Sequence, residues 1–390
     1  MRDGKSYREE GGRFYGFIEG SEPAPFESAY SRLNLVLDAV DADEYDRVLG
    51  APIDRMSLAI IRITTTPNRL QNAFRLIRVP VEGDWVEVKL ERRDNFPIAW
   101  LTTLADDYQG AERLNVVEMR IVDGAEPGGH LRASVDMKAA DKRDSSLLEE
   151  FKRLSDFELH VRVVDVGQAS CNAVHSGRSS TSPVLAYFDV GAPLFFHHSS
   201  LPSPFAEPLR VFDSGVVILS HWDFDHYAQA LRSSSRLRQL KWYAPRQPVG
   251  PNAIAFQNSL SSLTILDLPS YREGQVGIFK CNGPTNDRNH SGYVMRIGNE
   301  QNASLLTGDA SYEVIARQAT VGIQGLTIPH HGGSGGAKPF TGSGPAVVSY
   351  GAPNKYKHPN DGVIGAHQKS GWTVTRTADH PGQRRGDRWL

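Results

Sequence analysis

The chemistry in this sequence concentrates at His221-Trp222-Asp223-Phe224-Asp225-His226, which follows the run Val216-Val217-Ile218-Leu219-Ser220. Two imidazoles and two carboxylates lie within six residues. On a tight loop at a strand end such side chains can converge on one point. They then offer the lone pairs that a pair of divalent ions needs. The plain alternative is a solvated polar turn. Polar residues recur further along, again where short apolar runs stop. Asp309 closes Leu305-Leu306-Thr307-Gly308-Asp309, and His330 and His331 follow Leu326-Thr327-Ile328-Pro329.

The elements around these residues share a rhythm. Short apolar segments at 159–168, 183–191, 215–226, 293–298, 304–309, 325–333 and 346–351 end in Gly, Asp or His. Buried strands that deliver polar residues at their C-terminal ends build a site along one edge of a sheet. The first part of the chain reads differently, as α+β. Residues 28–48 carry apolar residues at mixed helical spacing, and SLAIIRITT (57–65) is β-rich. FRLIRVPV (74–81) and DWVEVKLE (84–91) alternate apolar and polar as half-buried strands do, and 115–124 is a further strand. No catalytic constellation stands out there. A structural, partner-binding or substrate-positioning role is the expectation.

Charge changes between the two parts. Up to Ser155 there are 22 basic and 28 acidic residues, and from Asp156 onward 21 and 17. The shift falls in the polar, helix-prone stretch 138–154, which reads as a connector. The expected domains are therefore 1–150, α+β, and 155–390, carrying the site. The whole chain of 390 residues has a formal net charge of −2, which excludes a globally basic nucleic-acid binder but not a local basic cleft. Its mean hydropathy is −0.39. Only two cysteines are present, Cys171 and Cys281, so a disulfide framework or Cys-rich zinc site is excluded and a reducing cytoplasm is expected. The first residues, MRDGKSYREEGG, lack the apolar stretch of a secretory signal. No apolar run approaches the roughly 18 residues of a membrane span.

The His-x-Asp-x-Asp-His hexad resembles the signature loop of the metallo-β-lactamase fold. Its Asp223, where much of that superfamily has His, resembles the branch of soluble domains from ComEC-type DNA-uptake proteins. Other motifs of that branch follow in order. Asp165-Val166-Gly167-Gln168 resembles its opening DVGQ, and Asp189-Val190-Gly191 its D-x-G. Leu305 to Asp309 resembles its LLTGD, and Pro329-His330-His331-Gly332 its PHHG. The segments beginning at Tyr350 and Thr375 resemble its last two motifs. The resemblance covers about 160–385 and does not reach the first 150 residues.

The resemblance implies an α/β fold, a four-layer αβ/βα sandwich, preceded here by the smaller α+β domain. It implies two divalent ions, Zn²⁺ or Mn²⁺. His221 and Asp223 would hold one and Asp225 and His226 the other, with Asp309 bridging and His331 completing the second site. His290 is open between a first-site ligand and a loop histidine. Asp225 would orient the nucleophile, and His330 or His358 would protonate the leaving oxygen. Lys355, Tyr356, Lys357 and Arg376 are the candidate substrate contacts, and Asp165 and Asp189 would buttress the loops. The implied function is a metal-dependent hydrolase, in first place a phosphodiesterase or nuclease acting on an anionic substrate, nucleic acid or nucleotide. One alternative is a small-molecule hydrolase: a nucleotide-signal phosphodiesterase, lactonase or esterase. The other is a partner-gated effector of a bacterial defence complex, docked through the N-terminal domain. No membrane partner is expected.

Overall fold

The computed structural model of the chain describes residues 11–23, 32–48, 51–104, 111–124, 127–137, 145–179, 181–194, 199–202, 215–232, 236–333, 339–354 and 356–390. Among them are 20 strands and eight α-helices in a mixed α/β arrangement: one closed six-stranded barrel and two seven-stranded mixed sheets. Contacts along the chain divide it into two units. The first is Met1–Met137 with Pro248–Ser259, and the second is Lys138–Gln247 with Leu260–Leu390.

The first unit is built on β1 (Gly12–Pro23), β2 (Leu33–Asp41), β3 (Leu58–Thr65), β4 (Trp85–Glu91), β5 (Ile98–Thr102) and β6 (Glu112–Ile121), closed in the order β1-β2-β3-β5-β6-β4. Every pairing is antiparallel. Side chains alternate across a strand, so every second residue points inward. Leu33, Leu35, Leu37 and Ala39 of β2 meet Ala59, Ile61 and Ile63 of β3 and Val86, Val88 and Leu90 of β4 in one core. Three helices belong to the same stretch: α1 (Ala42–Arg47), α2 (Pro67–Phe74) and α3 (Gly128–Ser134).

Two expectations for this region are corrected. Residues 33–41 form a strand rather than a helix, because seven of the nine are buried and no single helical stripe survives. Residues 74–81 form no strand. Thr66 caps α2, Arg75 ends it in the left-handed conformation, and Ile77 beyond it is fully exposed.

The second unit begins with α4 (Ser145–Ser155), in the stretch read as a connector. Leu147, Phe151 and Leu154 recur at i, i+4 and i+7, and this stripe is buried in the unit's core. The first sheet runs β12-β11-β10-β9-β8-β7-β20. Its strands are β7 (His160–Val163), β8 (Cys171–His175), β9 (Val184–Val190), β10 (Val216–Ile218), β11 (Lys241–Pro245), β12 (Ser262–Leu266) and β20 (Arg388–Trp389). The second runs β13-β14-β15-β16-β17-β18-β19. Its strands are β13 (Ser270–Glu273), β14 (Val276–Lys280), β15 (Tyr293–Gly298), β16 (Ala303–Leu306), β17 (Ile323–Thr327), β18 (Pro345–Val348) and β19 (Thr373–Arg376).

One core cluster draws on both sheets, with Val174, Phe188 and Ile218 from the first and Ile278, Met295 and Leu306 from the second. The opposite face of the second sheet buries Phe279, Val294, Leu305, Leu326 and Val348 against Ile364 and Trp372. Strands β9 and β10 run parallel, as do β16, β17, β18 and β19. Parallel strands bring their C-terminal ends to one edge, and the His and Asp residues follow those ends. Three short helices complete the chain: α5 (Phe224–Tyr227), α7 (Arg288–Ser291) and α8 (Asp361–Lys369), with α6 (Pro251–Ser259) lying in the inserted segment of the first unit.

Candidate metal centre

Three imidazoles at the strand ends are each held by Nδ1. Asp189, at the end of β9 and fully buried, accepts from His226 Nδ1 at 2.8 Å, from the Ser220 N–H at 2.8 Å and from the Ser220 hydroxyl at 2.9 Å. The Ser220 oxygen in turn accepts from His221 Nδ1 at 2.8 Å. His331 Nδ1 donates to the Ser349 carbonyl at 2.8 Å, just past β18. An Nδ1 engaged as a donor leaves the Nε2 lone pair free, which is how metal-binding histidines are commonly set.

The loop itself is fixed by backbone contacts. Ser170 N donates to the Asp225 carbonyl at 3.0 Å, and Gly191 N to the Ser170 carbonyl at 2.7 Å. A Cβ on Gly191 would collide with the Asp225 carbonyl, so only glycine lets the 221–226 loop lie this close. Gly308 takes a left-handed φ of 52° and packs against Ser220, which sets Asp309 beside His226.

The Nε2 atoms of His226 and His331 face carboxylates. His226 Nε2 lies 3.3 Å from Asp309 Oδ1 and 3.9 Å from Asp225 Oδ1, and His331 Nε2 lies 3.1 Å from Asp225 Oδ2. Two donor sets could each hold a metal ion: His221, His226 and Asp309, and Asp225, His226 and His331. His221 Nε2 and His226 Nε2 are buried with no hydrogen-bond partner among the described residues. Orphaned buried nitrogens are costly, and a cation is what this donor chemistry fits.

The electrostatics agree. Burial pushes Asp309 up, but His226 and His330 outweigh it and hold the carboxyl well below its ordinary value. Burial pushes His226 down, but Asp309 and Asp189 raise it well above its ordinary value. Asp225 is likewise lowered against its burial by His331 and His226, and His331 is raised by Asp225 and Asp309. Each carboxylate keeps its charge and draws positive charge into the site.

The remaining candidates fall around this centre. Asp223 belongs to neither donor set. Its Oδ1 is 2.9 Å from Arg288 Nη2, and its Oδ2 is 3.5 Å from His221 Nε2. His290 is also outside both sets. Its Nδ1 meets Asp287 Oδ2 at 2.6 Å and its Nε2 meets Ser311 Oγ at 2.9 Å. Of the adjacent pair, His331 is in a donor set, while His330 Nδ1 stands 3.2 Å from Asp309 Oδ2 with its ring partly exposed. The His358 ring is 5.5 Å from that of His330, and the Tyr356 ring 5.6 Å from that of His358. Burial, then the neighbouring His330 and His331, push His358 down to about 3, and its buried Nδ1 has no hydrogen-bond partner among the described residues.

Arg376 ends β19 opposite Val348, on the edge that carries Ser349 and His331. Lys357 is exposed, and Lys355 lies outside the described residues. Asp165 receives a two-point ion pair from Arg385, at 2.7 and 2.8 Å, tying the loop after β7 to the C-terminal segment. Four of the six non-glycine residues with positive φ among the described residues are Asp189, His330, His331 and Lys357. Such strain gathers at functional sites.

Sequence reasoning missed Ser220, Arg288, Asp287 and Ser311. Ser220 had a signal, because it directly precedes His221 on the same strand end. Arg288 had none, because its partner Asp223 is far away along the chain. Of the histidines outside the motifs, His130 and His380 are exposed, whereas His175 and His367 are buried and hydrogen-bonded. His197 and His198 lie outside the described residues. A scan of the chain against protein-family models and a search of curated proteins each found no match.

Proposed function

We propose that the second unit is a metal-dependent hydrolase of the metallo-β-lactamase fold, a four-layer αβ/βα sandwich of the ComEC-like branch, and that it cleaves phosphodiesters. One observation carries this reading. His221, His226 and His331, each anchored through Nδ1, turn Nε2 toward the carboxylates of Asp225 and Asp309 at the strand ends. The donor set of imidazoles and carboxylates admits Zn²⁺ or Mn²⁺, the resemblance implying two ions. A divalent ion held by these residues would supply Lewis acidity and lower the pKa of a water.

The chain's own residues do the rest. Asp189 fixes His226 through a 2.8 Å bond, so that its Nε2 stays on target. Asp225 faces His331 and is placed to orient the attacking water. His330, partly exposed beside Asp309, is the side chain best placed to give a proton to the leaving oxygen. His358, held neutral by burial, offers a hydrogen bond rather than a charge. Arg376 on the same edge and Lys357 favour an anionic substrate.

The test is a substrate panel. Labelled single-stranded DNA, duplex DNA, RNA and bis-p-nitrophenyl phosphate are offered with Mn²⁺ or Zn²⁺, beside lactone and carboxylic-ester substrates. Phosphodiester cleavage is expected to dominate. Turnover of lactones or esters alone would replace the phosphodiesterase reading with the small-molecule one.

A further inference from the structure

We infer that this centre holds one divalent ion, and that the buried Arg288 guanidinium supplies the positive charge a second ion would otherwise bring. The inference rests on the metal-dependent reading above and narrows it.

Three observations carry it. First, the two donor sets are not independent, because both use His226. His226 Nδ1 is committed to Asp189 at 2.8 Å, so one Nε2 is left, and it can bind one ion at a time. The two sets as they stand therefore cannot both be filled at once. Second, the carboxylate that would build a separate first site already has one oxygen tied to a cation. Asp223 Oδ1 is paired at 2.9 Å with Arg288, whose side chain is 1% exposed, and Asp223 belongs to neither set. His290, the other residue open for that site, is held between Asp287 and Ser311.

Third, the carboxylates aimed at the centre match one ion. Asp225 and Asp309 offset one divalent cation, Asp223 pairs with Arg288, and Asp189 is engaged by His226 and Ser220. A second divalent ion beside a buried guanidinium would add like charge where solvent cannot screen it.

The test counts ions in the intact chain. Wild type, Arg288→Gln and Arg288→Lys are loaded with Mn²⁺ and desalted, then read by metal analysis and electron paramagnetic resonance. Wild type and Arg288→Lys should each retain one ion and give the spectrum of an isolated Mn²⁺. Arg288→Gln, with Asp223 released, should rise toward two ions and give an exchange-coupled spectrum. Two coupled ions in the wild type would overturn the inference while leaving the metal reading intact. One ion in wild type and in folded Arg288→Gln alike would remove Arg288 from the account. No retained ion in the wild type would overturn the metal reading and this inference with it.

Discussion

At the scale of single residues, the centre is an arrangement of imidazoles aimed by their far nitrogens. Asp189 is the main anchor, since it accepts from His226 and from both donors of Ser220 while wholly buried. Asp189→Asn keeps the shape but weakens these bonds, and metal affinity should fall roughly 10–100-fold, read by competition with a fluorescent chelator. Asp309→Ala removes the carboxylate beside His226 and should reduce bound metal and abolish hydrolysis with an unchanged circular dichroism spectrum. Retained metal and full activity in that variant would remove Asp309 from the site. Much of this was legible in the sequence, because His221, Asp225 and His226 sit within six residues and Asp309 and His331 each close an apolar run. The division of labour between Asp223 and Asp225 was not. It depends on Arg288, which reaches Asp223 only through the fold.

At the scale of elements, strand ends and glycines do the positioning. Gly191→Ala would drive a methyl group into the Asp225 carbonyl, so the 221–226 loop must move. The expected result is loss of metal binding with little change in overall secondary structure. A variant that still binds metal with wild-type affinity would show that the loop tolerates the shift. In the first unit, Asp38 of β2 accepts from Asn252 N at 2.8 Å, Asn252 Nδ2 at 2.6 Å and Ala253 N at 3.3 Å, at the start of α6. Asp38→Ala strands these buried donors and should cost about 1–3 kcal/mol in urea unfolding. Strands that alternate, such as β4, were readable from the sequence because most of one face is buried and most of the other is not. Segment 33–41 was not, since burial on nearly every residue erases the period. Segment 74–81 alternates without a partner strand, and Pro80 within it cannot donate to a ladder.

At the scale of the whole molecule, the segregation of roles follows the segregation of structure. The candidate metal donors found among the described residues all belong to the second unit, and the first offers a packed barrel whose interior is apolar. The change in composition near residue 155 hinted at this division. It could not show that 248–259 belongs to the first unit, because that grouping depends on long-range contacts such as those of Asp38. Stability should depend on pH through a histidine away from the centre. His367 donates Nδ1–H to the Val363 carbonyl at 2.7 Å and accepts the Tyr312 hydroxyl at 2.6 Å, and burial lowers its pKa below the ordinary 6.5. The unfolded chain therefore binds this proton more readily than the folded one. The stability it contributes is present above about 6.5 and is lost as pH falls through the lowered folded value. His367→Leu should be less stable than wild type at pH 7, and the gap should narrow as the pH drops below 6.5. A gap independent of pH would show that His367 acts through packing alone. The central claim, that this chain hydrolyses phosphodiesters with a metal held at the strand ends, is tested most directly by stripping and reloading. Wild type and Asp225→Ala are treated with chelator, assayed on bis-p-nitrophenyl phosphate, and assayed again with Mn²⁺ or Zn²⁺ restored. The account predicts that wild-type turnover vanishes on stripping and returns on reloading, and that folded Asp225→Ala stays inactive throughout. Turnover that survives stripping, or an Asp225→Ala variant as active as the wild type, would contradict it.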